Sequence, residues 1–343
     1  MGMKTTAAGL AIIALAPGAA YAKIYTCNQQ GTIPDGGTGC AGAAGYQSAE
    51  PRYGSPNSMQ FQNASVALDL FDIQPEGAEA FTPEGDSDTI GGAFTYDKAG
   101  FQTGKRLDLH YQHARRLGEG TRARLLIDVP VSINHADEFG INYVLAGHSL
   151  GTFFQGGHTA VYGTVNVGVE LPVTPNWLVT PRVSYSNTQA GQYFAYDAEE
   201  ATASVTTRYK LPQVGRGDLV FGGMAAYTHT VDTFLAKQPF FDNTDFWTLR
   251  GGLAYQMPLK ARMFGRQTSI RASYVFTYLT GVPFEAYKQI HELGINVGVR
   301  TREAEQKNGF EQMRVGLLYT HGKNEFTSKA GFDAVTLTLG YRF

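Results

Sequence analysis

The chain has 343 residues and a formal net charge of −2, and charged residues make up only 17% of it. That charged fraction is below the roughly 25% typical of soluble domains. A net charge near zero gives no global basic field, so a dedicated nucleic-acid-binding protein is disfavoured. Past residue 22, no uncharged apolar run approaches the 18 or so residues of a membrane-spanning helix, which excludes a helical membrane protein. A soluble enzyme, a secreted β-protein and a membrane β-barrel remain.

Residues 1–22 have the pattern of a secretory signal peptide. Lys4 supplies the positive start, residues 10–16 form a short apolar core, and Ala20 and Ala22 form a small-x-small cleavage site. Pro17-Gly18 would break a short buried helix at this position. The pattern therefore predicts export and a mature chain that begins at Lys23.

Residues 23–57 are rich in glycine, lack periodicity and contain both cysteines of the chain, Cys27 and Cys40. Because an exported protein meets an oxidising compartment, the two thiols are predicted to form a structural disulfide worth roughly 3 kcal/mol. No CxxC pattern supports a redox role. The segment is expected either to lie in the periplasm or to enter a lumen as a partial plug, and both alternatives stay open.

From about residue 60 onward, the sequence alternates between apolar and polar residues with a period of two. The C-terminus shows this best, because Val335, Leu337, Leu339, Tyr341 and Phe343 share one face and the residues between them share the other. The same pattern predicts twelve strands, near residues 60–71, 105–116, 121–134, 159–171, 176–187, 201–211, 218–231, 246–257, 267–279, 290–301, 309–321 and 330–343.

The predicted connections alternate between short turns and long, aromatic-rich loops. The short turns are Leu117–Gly120, Thr174–Asn176 and Pro212–Arg216, and the long loops are near residues 72–104, 135–157, 188–200, 232–245 and 280–289. This layout, with an even strand count, is typical of an outer-membrane barrel. The predicted fold class is therefore all-β, a transmembrane antiparallel up-and-down β-barrel that spans residues 58–343. A soluble β-sandwich is disfavoured because its wet face would carry more charge.

The terminal residues VTLTLGYRF resemble the C-terminal assembly signature of Gram-negative outer-membrane β-barrel proteins. The match consists of terminal Phe343, aromatic Tyr341, and apolar Leu339, Leu337 and Val335 at alternate positions. The segment VELPVTPNWLVTPRVSYS is similar to hairpins of autotransporter-type and porin-like barrels. The resemblance implies insertion into the outer membrane by the barrel assembly machinery, with lipid and lipopolysaccharide around the barrel. It implies nothing about what the barrel does.

Two further segments, residues 88–96 and 139–147, also alternate. Counting both as strands gives fourteen strands and inverts the orientation of residues 105–134. Twelve strands are preferred because this count keeps Leu117–Gly120 among the short turns.

If the apolar faces meet lipid, the polar faces line the lumen, where basic residues are predicted to outnumber acidic ones. The predicted inward basic set is Arg106, Arg122, Arg124, Arg182, Arg208, Lys210, Arg250, Arg271, Arg300 and Arg314. The predicted inward acidic set is Asp69, Asp108, Asp128, Glu170 and Glu292. Most of the basic residues fall near the short turns, which predicts a cationic collar at that end of the lumen.

An arginine-rich lumen lowers the barrier for anions. The first functional hypothesis is therefore a passive channel for small solutes, with a preference for anionic ones. Small inward residues, such as Ala114, Gly168 and Ala254, are expected to leave space for them. The alternative is a structural or secretion-related anchor, whose pore is closed by arginine–carboxylate networks or by residues 23–57.

An enzyme is the third hypothesis. Residues 147–151 read GHSLG and match the G-x-S-x-G pattern of α/β-hydrolases, with Ser149 as the candidate nucleophile. Asp242 and His321 follow in the chain order of that family. However, Gly156-Gly157 stands where a helix must begin, and another alternating strand comes next. Ser149 is thus named only as a candidate, and no catalytic residue is predicted.

Outer-membrane lipid-cleaving barrels carry a His–Ser pair on the lipid-facing wall. The outward histidines here are His113, His229 and His321, and the serines near them mostly face inward. An outer-membrane lipid or ester hydrolase is disfavoured for this reason. The eight histidines show no metal-ligand spacing such as H-x-x-H, so neither a metal site nor a cofactor is predicted.

Overall fold

A computed structural model describes residues 86–99, 102–118, 120–136, 141–145, 148–153, 158–191, 196–235, 238–239, 245–280, 289–300, 313–323 and 331–342. In this part of the chain, no helix has the length and apolar character needed to cross a membrane. The predicted signal peptide, residues 23–57 and the Cys27–Cys40 disulfide fall outside the described residues and stay predictions.

The described residues form fifteen strands. They are β1 (Ser87–Ala99), β2 (Gln102–Arg116), β3 (Arg124–Ala136), β4 (Ile141–Leu145), β5 (His148–Phe153), β6 (His158–Thr174), β7 (Trp177–Gly191), β8 (Tyr196–Val214), β9 (Gly217–Leu235), β10 (Gln238–Pro239), β11 (Phe246–Met263), β12 (Arg266–Thr280), β13 (Gln289–Val299), β14 (Met313–Lys323) and β15 (Gly331–Arg342).

Twelve of these strands close into one antiparallel barrel. Their order around the ring is β1, β2, β3, β6, β7, β8, β9, β11, β12, β13, β14 and β15, and β15 pairs with β1. Each of the twelve strands therefore has a partner on both sides, which removes the exposed edges of an open sheet. The predicted all-β, up-and-down barrel of about twelve strands is confirmed.

The first strand of the ring differs from the prediction. The structure places β1 between β15 and β2, and its residues include the segment 88–96. The expectation of a first barrel strand near residues 60–71, which fall outside the described residues, is corrected accordingly. Both segments alternate with a period of two, so periodicity could not separate them. Pairing does, because it sets Phe94 opposite Leu337 across the seam.

The second extra segment, residues 139–147, does not enlarge the barrel. Strands β4 and β5 pair with each other as a separate two-stranded sheet. The fourteen-strand alternative is therefore wrong. β3 pairs directly with β6, and this hairpin lies within the connection between them.

The two ends of the barrel differ in their connections. The predicted short turns Leu117–Gly120, Thr174–Asn176 and Pro212–Arg216 all lie at one end, which we call the turn end. The opposite end is the loop end. The prediction of a long loop over residues 72–104 is wrong, because only residues 100–101 separate β1 from β2 there.

The outer face of the barrel is apolar. Leu337 is 53% exposed, and its neighbours along β15, Thr336 and Thr338, are buried on the inner face. Aromatic rings mark the rim of this apolar surface near the loop end, where the centroids of Tyr227 and Trp247 lie 5.2 Å apart. An apolar band edged by aromatic side chains is the outer surface that a membrane barrel needs.

Candidate functional site in the barrel interior

Buried arginines cluster inside the barrel at the turn end. Arg124, Arg271 and Arg314 are only 0%, 1% and 2% exposed, and Arg208 is also buried. Arg124, Arg271 and Arg314 lie at or near the first residues of β3, β12 and β14, which begin at the turn end. Period-two alternation then turns their side chains inward. We call Arg124, Arg208, Arg271 and Arg314 the collar.

Glu170 joins two members of the collar. Arg124 lies directly opposite it in the β3–β6 ladder and donates from Nε to Oε1 at 2.9 Å. Arg124 Nη2 is 2.8 Å from the same oxygen, and Arg208 Nη2 lies 3.4 Å from Oε2. Glu170 itself is completely buried. One carboxylate thus lies between two guanidinium groups, so the charge of this cluster remains positive.

The predicted acidic residues of β2 and β3, Asp108 and Asp128, are buried on a neighbouring part of the inner wall. Arg106 Nε donates to Asp108 Oδ2 at 3.0 Å, and the Ser132 hydroxyl donates to the other oxygen of Asp108. Asn166 Nδ2 donates to Asp128 Oδ2 at 3.1 Å. The two carboxylates are therefore held by polar neighbours on the wall itself.

His110 also contacts Asp128, through its Nε2 atom. Nearer the loop end, Arg250 forms an ion pair with Glu292. Arginine–carboxylate contacts are thus distributed along the described inner wall, whereas the collar is confined to the turn end.

Small inward residues do not leave open space at every predicted position. Ala114 and Ala254 are buried. A Cβ added at Gly168 would lie 2.5 Å from Cγ of Arg182, so this glycine makes room for an arginine side chain. The expectation that small residues leave space is not met at these three positions.

Two of the predicted inward charges, Arg122 and Arg300, lie elsewhere than expected, and a third is not among the described residues. Arg122 is exposed in the connection between β2 and β3, and Asp69 falls outside the described residues. Arg300 follows the last residue of β13 and donates from Nη1 to Gln267 Oε1 at 3.0 Å. The remaining predicted residues lie on the inner wall, and their role in lining a conducting path stays a prediction.

Ser149 lies in β5, opposite Val144 of β4. β5 runs to Phe153, and the next described element is strand β6, so the strand-to-helix turn of a hydrolase nucleophile is not found here. His321 lies on the outer face, where Nδ1 contacts Asp333 at 2.9 Å. Asp242 falls outside the described residues.

A repeated cluster on the outer face was missed by the sequence reasoning. In each copy, a tyrosine hydroxyl and the histidine two residues later both contact an aspartate on the adjacent strand or just before it. The copies are Tyr111, His113 and Asp88; Tyr227, His229 and Asp245; and Tyr319, His321 and Asp333. The available signal was the repeated Y-x-H triplet. The pKa of Asp245, which precedes β11, lies below its usual value because Tyr227 and His229 donate hydrogen bonds to it.

These histidines and aspartates do not form metal-ligand sets. Among the described residues, no group of three His, Cys, Asp or Glu side chains is placed to hold a metal ion.

Solved barrels of known proteins resemble this structure. The translocator domain of the autotransporter NalP from Neisseria meningitidis matches with a TM-score of 0.51 and 10% identity, over 83% of this chain and 94% of that chain. The beta domain of the Bordetella autotransporter Brka also matches with a TM-score of 0.51, at 11% identity, over 76% of this chain and 99% of that chain. Identities this low show a shared fold alone. No family model and no curated protein matches the sequence. The resemblance to outer-membrane β-barrels is therefore confirmed at the level of the fold.

Proposed function

We propose that this chain is a Gram-negative outer-membrane barrel that acts as a narrow passive channel for small solutes, with a preference for anions. The observation that carries the proposal is the collar. Its four buried arginines lie inside the barrel at one end, and two of them share the single carboxylate of Glu170. Export by the signal peptide, insertion by the barrel assembly machinery and a surrounding of lipid and lipopolysaccharide belong to the same proposal.

The anion preference follows from electrostatics. Charges of one sign on low-dielectric walls focus their field and raise the local concentration of oppositely charged solutes. Rings of arginine select anions in pores for this reason. The carboxylates of Asp108 and Asp128 are held by Arg106 and Asn166 and not by an arginine of the collar.

Planar-bilayer recording of the refolded mature chain tests the channel. We expect single-channel steps and, in a KCl gradient, a reversal potential that shows chloride preference. Arg271→Gln together with Arg314→Gln should reduce this preference. Lys260→Gln, on the exposed part of β11, removes one positive charge outside the collar and should leave the preference unchanged. Absence of conductance steps, or selectivity for cations, would contradict the proposal.

The second candidate is a structural or secretion-related anchor with a closed pore. Burial of the inner wall favours it, because Arg124 is 0% exposed and the inward Ala226 and Ala254 are also buried. The same recording on a chain without residues 23–57 separates the two candidates. Conductance that arises only after the deletion supports the anchor, whereas equal conductance of both chains supports the channel.

A lipid or ester hydrolase is not proposed. Ser149 lies in a strand, and His321 contacts Asp333 on the outer face. The barrel is therefore proposed to act without catalysis.

A further inference from the structure

A cavity of about 390 Å³, with both polar and apolar lining, opens at the turn end of the barrel. It lies between the β8–β9 turn, the start of β12 and the residue after β13. Its lining includes two arginines, Arg216 and Arg300, and the polar residues Gln213, Gln256, Gln267 and Ser269. One acidic residue, Asp218, also lines it, and its carboxylate is paired with Lys210. None of these residues belongs to the collar.

The backbone beside the cavity is strained. Gln213 has a φ of 60°, in the left-handed region that residues with side chains rarely adopt. Its N–H donates to Asp218 Oδ1 at 3.0 Å, and Asp218 in turn lies 3.3 Å from Lys210 Nζ. Glycine would hold the same turn without strain, yet this position carries an amide that lines the cavity. Strained residues of this kind concentrate at ligand sites.

The walls of the cavity are held by close contacts. A Cβ at Gly217 would lie 2.1 Å from the backbone oxygen of Gln256, so only glycine permits this approach of β9 to β11. Gln256 is buried, and its Nε2 donates to Ser269 Oγ at 3.5 Å. Arg300 donates from its backbone N to Gln267 O at 3.2 Å, in addition to its side-chain bond to the same glutamine. The side chains of Gln256, Ser269, Gln267 and Arg300 are therefore positioned before a ligand arrives, which lowers the entropic cost of binding.

We propose that this cavity binds a small organic anion that carries hydroxyl groups, of the sugar-acid type. The site deepens the proposed channel, because it would hold such a solute at the turn-end mouth. A guanidinium group pairs with a carboxylate or phosphate through two parallel hydrogen bonds. Amides and hydroxyls both donate and accept, which suits a ring of hydroxyl groups. A volume of about 390 Å³ is at the lower end of small-molecule pockets and suits a sugar of one or two rings.

Equilibrium dialysis of the full mature chain in detergent micelles tests the site, with radiolabelled glucuronate as the probe. We expect saturable binding of glucuronate. Neutral glucose, which lacks the carboxylate, and acetate, which lacks the hydroxyl groups, should each bind at least about tenfold more weakly. Glucose 6-phosphate distinguishes the two anionic groups: binding tighter than that of glucuronate identifies a phosphate site, and weaker binding identifies a carboxylate site. Equal binding of glucose and glucuronate overturns the proposal.

Matched variants separate a built site from a diffuse positive field. Arg216→Gln and Arg300→Gln should each weaken glucuronate binding by about tenfold, because each removes a charge-assisted bond. Lys260→Gln removes the same charge at the same end, outside the cavity, and should bind as the parent chain does. An equal loss in Lys260→Gln overturns the proposal.

Gln213→Gly provides a variant that is not at risk of misfolding. Removal of the strained side chain should leave the thermal midpoint unchanged or raise it, while glucuronate binding falls. Unchanged binding overturns the proposal. A chain that conducts ions but does not bind glucuronate contradicts this site alone, and a chain that binds glucuronate without conducting contradicts the channel alone.

Discussion

At the scale of single residues, the stability of the barrel depends on how the buried charges of its interior are paired. Glu170 is completely buried between Arg124 and Arg208. Burial of an ion pair costs desolvation energy, which is offset only when the partners keep their contacts. Removal of one partner from such a group leaves the others charged and uncompensated.

Glu170→Gln should therefore lower the free energy of unfolding by about 3 kcal/mol, because it leaves two buried guanidinium groups without their shared carboxylate. Urea titration of the barrel in lipid vesicles, followed by tryptophan fluorescence, measures the change. The control is Glu199→Gln on the outer face, where the half-buried carboxylate accepts a hydrogen bond from the Tyr185 hydroxyl, and it should cost no more than about 1 kcal/mol. Equal effects of the two substitutions would show that the Glu170 contacts contribute little.

At the scale of elements, each strand separates a lipid face from an inner face. β15 shows this most regularly, with Val335, Leu337 and Leu339 outward and Thr336 and Thr338 inward. Near the loop end, the clusters of Tyr227, His229 and Asp245 and of Tyr319, His321 and Asp333 link neighbouring strands at the aromatic rim. The polar contacts therefore lie where the apolar face ends.

An outward arginine should be tolerated according to its depth in the membrane. Leu337 lies midway along β15, and Leu337→Arg should destabilise the inserted barrel by about 2–4 kcal/mol. Val231, which lies beyond His229 toward the loop end of β9, is the matched position, and Val231→Arg should cost about 0–1 kcal/mol. Reversible unfolding from lipid vesicles gives both values. Equal costs would contradict the assignment of the outer face to lipid.

At the scale of the whole molecule, the seam between β1 and β15 makes the sheet a closed ring. Thr95 and Thr336 are opposite each other across it, and their hydroxyl oxygens lie 2.9 Å apart. Both side chains are buried on the inner face. The seam therefore identifies which segment of the chain is the first barrel strand.

A disulfide across the seam tests this closure. Thr95→Cys with Thr336→Cys, in a chain that also carries Cys27→Ser and Cys40→Ser, should cross-link in the folded barrel, because the paired positions are close enough for a bridge. Non-reducing electrophoresis of the folded, oxidised protein detects the link. Thr95→Cys with Thr320→Cys on β14 is the control, and it should stay unlinked. If the first pair does not cross-link, β1 is not the neighbour of β15, and another segment such as residues 60–71 would be the first barrel strand.

The site was predictable only in part. Alternation placed Arg124, Arg271 and Arg314 on the inner face, because a period of two is a local property of a strand. The sharing of Glu170 by Arg124 and Arg208 was not predictable, since the Arg124–Glu170 contact joins residues 46 positions apart in the chain. The cavity beside Gln213 had no sequence signal, because its walls come from four separate parts of the chain.

The sequence by itself determined the period of the strands, the apolar and polar faces and the end at which the short turns lie, since each depends on neighbouring residues. Tertiary structure alone decided that β1 and not residues 60–71 closes the ring, and that β4 and β5 stay outside it. Alternating segments are interchangeable until they pair. The choice among them depends on which register buries matching faces along both neighbours at once, and that is a property of the complete ring.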